Sequence, residues 1–188
     1  MARIEYIPKQ GLIAYPDGTG INLLNAESIA IKRKVIALTN AAATTKNLTA
    51  GDSGALVTIN PATAAANVIN INLPLVSTSA GIWYDFVFLA NAGDSGADVN
   101  IQSAQTADLM VGILVGAGGG DVNIFDISAD ADACRLFFDA GESTAMENQV
   151  VRARCDGVNW IMHAITRHNV ADLGTNGSEH VATENSLV

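Results

Sequence analysis

Trp83-Tyr84-Asp85-Phe86-Val87-Phe88-Leu89 is the stretch on which the fold turns. In an extended chain successive side chains point to opposite faces, so Tyr84, Phe86 and Phe88 share one face and Trp83, Asp85, Val87 and Leu89 the other. Aromatic and β-branched residues suit a pleated, half-buried surface, so the segment reads as a strand with an aromatic inner face. The same reading extends in both directions. Upstream, Val35–Leu38 is apolar, Ala55–Ile59 is apolar but for Thr58, and Val68-Ile69-Asn70-Ile71-Asn72-Leu73 alternates apolar and polar residues until Pro74 stops it. Downstream, strands are predicted at Val99–Gln102, Asp108–Leu114, Val122–Ile127, Cys134–Phe138, Val150–Cys155 and Trp160–Ile165. Only Ala62–Ala66 and residues 130–133 could form a helical turn. Some ten short strands separated by turn formers predict an all-β fold, a single domain of sandwich, jelly-roll-like or Greek-key barrel type spanning residues 35–166.

The two ends read differently. Residues 1–34 mix turn formers such as Pro8, Gly11 and Pro16-Asp17-Gly18 with isolated apolar residues, and neither helical nor strand periodicity persists. The prediction is an extended N-terminal arm ordered by packing on another subunit or wrapped on its own domain. Its partner-binding candidates are Arg3, Tyr6, Ile7, Leu12, Ile13 and Tyr15, with Lys32, Arg33 and Lys34 as basic contacts to an acidic protein surface or as a solvated strand start. Residues 167–188 are rich in Asn, Gly, Ser and Thr and read as a C-terminal tail.

Composition narrows the function. Of the 188 residues 49% are hydrophobic and 15% charged, enough apolar material for one core. The longest apolar run, Leu109–Ala117, falls well short of the roughly 18 residues of a membrane helix, and residues 1–5 lack the basic-then-apolar order of an export signal. A soluble protein that stays where it is made is the expectation. The net charge of −9 is uneven: residues 1–46 hold six basic and three acidic side chains, and the rest holds four basic and sixteen acidic. Such a body repels nucleic acid and anionic membranes. Cys134 and Cys155, too few for a disulfide framework, read as small buried hydrophobes.

No motif assembles a catalytic centre. Ala50-Gly51-Asp52-Ser53-Gly54-Ala55 recurs as Ala92-Gly93-Asp94-Ser95-Gly96-Ala97, and its core tetrapeptide resembles the nucleophile surround of trypsin-like proteases. In those enzymes the general-base histidine precedes the serine, whereas His163, His168 and His180 all follow both copies. A shared turn design, with Asp or Ser capping backbone amides and glycine at positive φ, is the better reading, and no full repeat architecture is predicted. Gly116–Gly120 runs into Asp121 with no lysine, which suits a hairpin connection and not a phosphate loop. Asp126, Asp130, Asp132 and Asp139 lack the spacing of a calcium loop. No enzyme activity, metal or cofactor is expected.

Four segments carry a family resemblance. Lys46-Asn47-Leu48-Thr49-Ala50-Gly51-Asp52-Ser53-Gly54, Ile71-Asn72-Leu73-Pro74, Gly81–Phe88 and Arg154-Cys155-Asp156-Gly157-Val158-Asn159-Trp160 follow one another in the order seen in the small β domains of bacteriophage capsid decoration (cement) proteins and some phage fibre modules, which this chain resembles over about 120 residues. The resemblance implies a virion protein made in the host cytoplasm. It would sit as a homotrimer on the outer capsid surface, bind the major capsid protein and itself, and tie neighbouring capsomers together. The alternative is a receptor- or glycan-binding module of a tail fibre or spike, against which stands an aromatic content of 5%.

Overall fold

A computed structural model describes residues 4–7, 11–14, 33–118, 121–127, 134–140, 146–166 and 181–184. The chain divides into two compact units, residues 1–32 and 33–188. In the first, β1 (Ile4–Ile7) and β2 (Gly11–Ala14) pair antiparallel, with Tyr6 opposite Leu12. This part of the arm therefore bonds to itself.

The second unit is all-β, with two sheets. Its first six strands are β3 (Val35–Thr39), β4 (Thr44–Asn47), β5 (Leu56–Asn60), β6 (Ile69–Asn72), β7 (Trp83–Phe88) and β8 (Val99–Gln102). They alternate between the sheets: β3, β5 and β7 are parallel neighbours in the larger sheet, and β4, β6 and β8 in the smaller. A chain that crosses to the facing sheet and returns re-enters its first sheet in the same direction, so each circuit adds one parallel strand to each sheet. The result is three stacked coils. The sequence reading had no such repeat, and jelly rolls and Greek keys are built from antiparallel neighbours. Unequal coil lengths hide the repeat: the register partners Val35, Leu56 and Asp85 are 21 and then 29 residues apart.

The remaining strands close the sheets. They are β9 (Met110–Gly118), β10 (Asp121–Ile127), β11 (Arg135–Phe138), β12 (Val150–Cys155), β13 (Trp160–Thr166) and β14 (Val181–Glu184). The larger sheet runs β10-β9-β13-β12-β7-β5-β3 and the smaller β14-β11-β8-β6-β4. The glycine-rich stretch joins β9 and β10, which pair antiparallel from Gly118 and Asp121 outward. Within the stretch predicted as a tail, Val181–Glu184 is a strand that pairs with β11. Ala62–Ala66 is not helical; the helical turns among the described residues are 3-10 turns at Ala50–Asp52 and Val76–Thr78. Residues 130–133 lie outside the described set.

One core lies between the sheets. Tyr84, Phe86 and Phe88 of β7 are fully buried, as the alternation requires, alongside Ile69 and Ile71 of β6 and Val99 and Ile101 of β8. Phe88 meets Phe138 of the smaller sheet at 4.7 Å between ring centroids. Each such side chain contributes about 1.5–3 kcal/mol by leaving water. Cys134 and Cys155 are buried and unpaired. On the opposite face of the smaller sheet, in-register stacking produces amide ladders. Asn72 Nδ2 donates to Asn47 Oδ1 and Gln102 Nε2 to Asn72 Oδ1, both at 2.7 Å, and Asn100 Nδ2 donates to Asn70 Oδ1 at 2.8 Å.

The four segments that carry the family resemblance meet at one end of this core. Tyr84 Oη donates to the Thr49 carbonyl at 2.7 Å, and Trp160 Nε1 to the Pro74 carbonyl at 3.2 Å. The Tyr84 and Trp160 rings stand 5.9 Å apart, and Gly54 N–H donates to the Trp83 carbonyl at 2.8 Å. Asp156 Oδ1 accepts from the amides of Val158 and Asn159, closing the Asp-Gly turn.

The duplicated hexapeptide does two different jobs. The first copy fits the predicted turn design: Gly54 has φ +79° and Asp52 accepts from the Thr49 amide. The second copy stacks on the preceding coil, and a Cβ on Gly93 would lie 2.4 Å from the Thr63 carbonyl oxygen. Its glycine is required for close approach of two backbones. Gly93→Ala should therefore cost about 2–3 kcal/mol in urea unfolding. The matching Gly51→Ala, whose Cβ meets nothing nearer than Thr49 Oγ1 at 3.7 Å, should change stability by no more than about 0.5 kcal/mol. Equal effects would refute the stacking argument.

Candidate interaction surface

In most strands of the larger sheet one set of side chains faces the core, and the other set builds an outward face of unusual composition. β12 alternates exposed and buried residues, presenting Val150, Arg152 and Arg154 outward. Its neighbours bring Asp85 and Val87 on one side and His163 and Ile165 on the other, in register with Arg152 and Val150. Val150 is 37% and Ile165 59% exposed, and Val35 and Ile113 on the same sheet are 59% and 44% exposed. A groove of about 560 Å³ runs across this face, lined by Leu56, Val87, Val150 and Ile165 together with Arg33, Asp85, Arg152 and His163.

Asp85 organises the polar half. Arg152 donates to both its oxygens, Nε to Oδ1 at 2.6 Å and Nη2 to Oδ2 at 3.4 Å, and Arg33 Nη2 lies 2.9 Å from Oδ2. Partial burial raises the carboxyl's proton affinity, but the hydrogen bonds from Arg152 and Arg33 outweigh it and hold Asp85 below the ordinary carboxylate range. Arg33 also donates to the carbonyls of Gly54 and Ala55 and stacks over the Trp83 ring at 4.8 Å. Arg154, in register with Trp83, has no ion-pair partner among the described residues. Two guanidinium groups thus share one carboxylate, with a third, Arg154, two residues along β12, on a protein of net charge −9.

Most sequence-derived candidates fall elsewhere. Arg3, Tyr15 and Lys32 lie outside the described residues, and Tyr6, Ile7, Leu12 and Ile13 lie in the β1–β2 hairpin. Arg33 and Lys34 are committed within the chain, Arg33 as above and Lys34 to Asp52. Ser53 Oγ accepts from the Trp83 amide at 3.4 Å, Ser95 Oγ donates to Asp94, and neither bonds to His163, the histidine among the described residues. Asp130, Asp132, His168 and His180 are outside the described set; within it, no group of three or more His, Cys, Asp or Glu is placed to hold a metal. Sequence reasoning missed the outward face, although its signal was present: opposite Trp160, Met162 and Ala164 the same strand carries Ile161 and Ile165, with no predicted helix to cover them.

The Lys34–Asp52 pair makes a pH prediction. Hydrogen bonding from Lys34, opposed by burial and aided by Thr49, lowers the Asp52 pKa from 3.8 to about 2. A depressed carboxylate contributes stability above its unfolded pKa and loses it as pH falls through the folded one. Because Lys34 is largely exposed, the pair is worth about 1–2 kcal/mol, less than the full shift. Urea unfolding at about pH 6 and again near pH 2 should show wild type losing that much more stability than Asp52→Asn; parallel losses would remove the pair from the account.

Comparison with family models, with curated proteins and with solved structures finds no match to this chain.

Proposed function

We propose that the protein is a virion structural protein, a decoration or cement protein that binds the outer surface of a phage capsid as a homotrimer and stabilises it by bridging capsomers. The observation that carries this reading is the convergence of the four resembling segments. Separated by up to some hundred residues in sequence, they meet around Tyr84, Trp160 and Asp156 as one structural unit, which favours a shared domain architecture over scattered matches. In this reading the two sheets pack as a sandwich, built partly by coiling. An outward sheet face that exposes Val150 and Ile165 beside an arginine cluster suits a protein that works by contact.

The stacked coils favour a second reading, a module of a tail fibre or spike, because repeated parallel coils propagate along an axis. One set of measurements separates the two. Mass photometry of the full chain should give a trimer, and the trimer should co-sediment with empty phage shells and raise their resistance to heat. A trimer that ignores shells but binds selectively on a glycan array would establish the fibre reading. A monomer that does neither would end both.

A further inference from the structure

The geometry points to the outward face of β12 and its neighbours as a docking surface for an extended segment of another protein, one carrying an aliphatic residue followed at alternating positions by two carboxylates. The register sets this chemistry. Outward residues of a strand are about 6.5–7 Å apart, so Val150, Arg152 and Arg154 form a row of one aliphatic and two cationic positions. A segment laid along β12 matches it with side chains at the same spacing.

Charge complementarity selects the occupant. Most acidic side chains of this protein lie in residues 47–188, yet along β7 and β12 Arg33, Arg152 and Arg154 face Asp85, and Asp156, which follows Arg154, has Oδ1 taken up by the amides of Val158 and Asn159. Arg152 spends two of its five N–H donors on Asp85, and Arg154 spends none on any described ion pair. Carboxylates of a partner would meet pre-oriented guanidinium groups, since Asp85 and the Trp83 ring already fix Arg152 and Arg33. Beside them Val87, Val150 and Ile165 accept the aliphatic residue, and the groove between is about 560 Å³. The surface is derived from the sheet alone and does not depend on which particle the partner belongs to.

The test uses the full chain, uniformly labelled with nitrogen-15, and the peptide acetyl-Ser-Val-Thr-Glu-Thr-Glu-Ser-amide. Titration should shift the amide signals of β7, β12 and β13, with a Kd on the order of 0.1–1 mM for so short a ligand. The analogue with both Glu replaced by Gln should bind about tenfold more weakly, as should the Arg154→Glu variant with the original peptide, and about 0.5 M salt should weaken binding similarly. Ile165→Ser should weaken binding of the original peptide and its Gln analogue alike. Both substituted positions are exposed, and superposition of the remaining signals checks that the fold is kept. Equal binding of the Gln analogue, or no shifts on this face, overturns the proposal. So do shifts that follow protein concentration without peptide, which would assign the face to a second copy of the chain.

Discussion

In-register stacking of parallel strands is the constraint from which the rest of the domain follows. Each residue of one coil sits over its counterpart in the next, so chemistry repeats along a row or must be compensated within it. Ile69, Val99 and Phe138 stack in one inward row, and Ile71, Ile101 and Leu136 in the next, which like-with-like apolar contact favours. On the far face Asn47, Asn72 and Gln102 stack as well, and the amide between them, Asn72, accepts from Gln102 and donates to Asn47. A repeated charge has no such solution, because like charges directly opposite one another repel. At Asp85, a carboxylate inside a central strand, register places Arg152 beside it and Arg33 closes the other side. The ion cluster of the larger sheet is thus a consequence of stacking as much as an ornament on it.

Strand positions were largely legible for the same reason. Alternation in Trp83–Leu89 identified which residues are buried, and β8 and β12 have the predicted bounds. The alternation of a strand reports its faces, however, and carries nothing about the direction of its neighbour. That is why β3, β5 and β7 read equally well as antiparallel strands of a jelly roll. β4 was missed because Thr44-Thr45-Lys46-Asn47 offers no apolar residue to a pattern search; it is a strand because β6 supplies a parallel partner and Asn72 bonds to Asn47. Tertiary context decides such segments.

The duplicated hexapeptide shows the limit of reading motifs by identity. Two identical runs of six residues occupy opposite corners, one where the chain passes from the smaller sheet to the larger and one where it passes back. In the first, glycine supplies a left-handed backbone at Gly54; in the second, the missing side chain of Gly93 lets the corner lie against Thr63. The sequence recorded that glycine was needed twice. Only the fold distinguishes the two reasons, since one is local and the other depends on residues 30 positions away.

The candidate surface was harder to read than the fold because it is made across strands. Val87, Val150 and Ile165 are distant in sequence and become neighbours only through the order β7-β12-β13. Arg33 and Lys34, read from the sequence as contacts to an acidic protein surface or as a solvated strand start, pair with Asp85 and Asp52 of their own chain. Their commitment shifts the balance of charge: with Asp85 held by Arg33 as well as Arg152, and Arg154 in no ion pair with the described residues, the excess positive charge falls on β12. On a protein of net charge −9, a cationic strand beside exposed aliphatic residues favours an acidic partner in the right orientation. The strand lays Val150, Arg152 and Arg154 along one line at a fixed spacing, and register and spacing are the requirements of docking another extended chain.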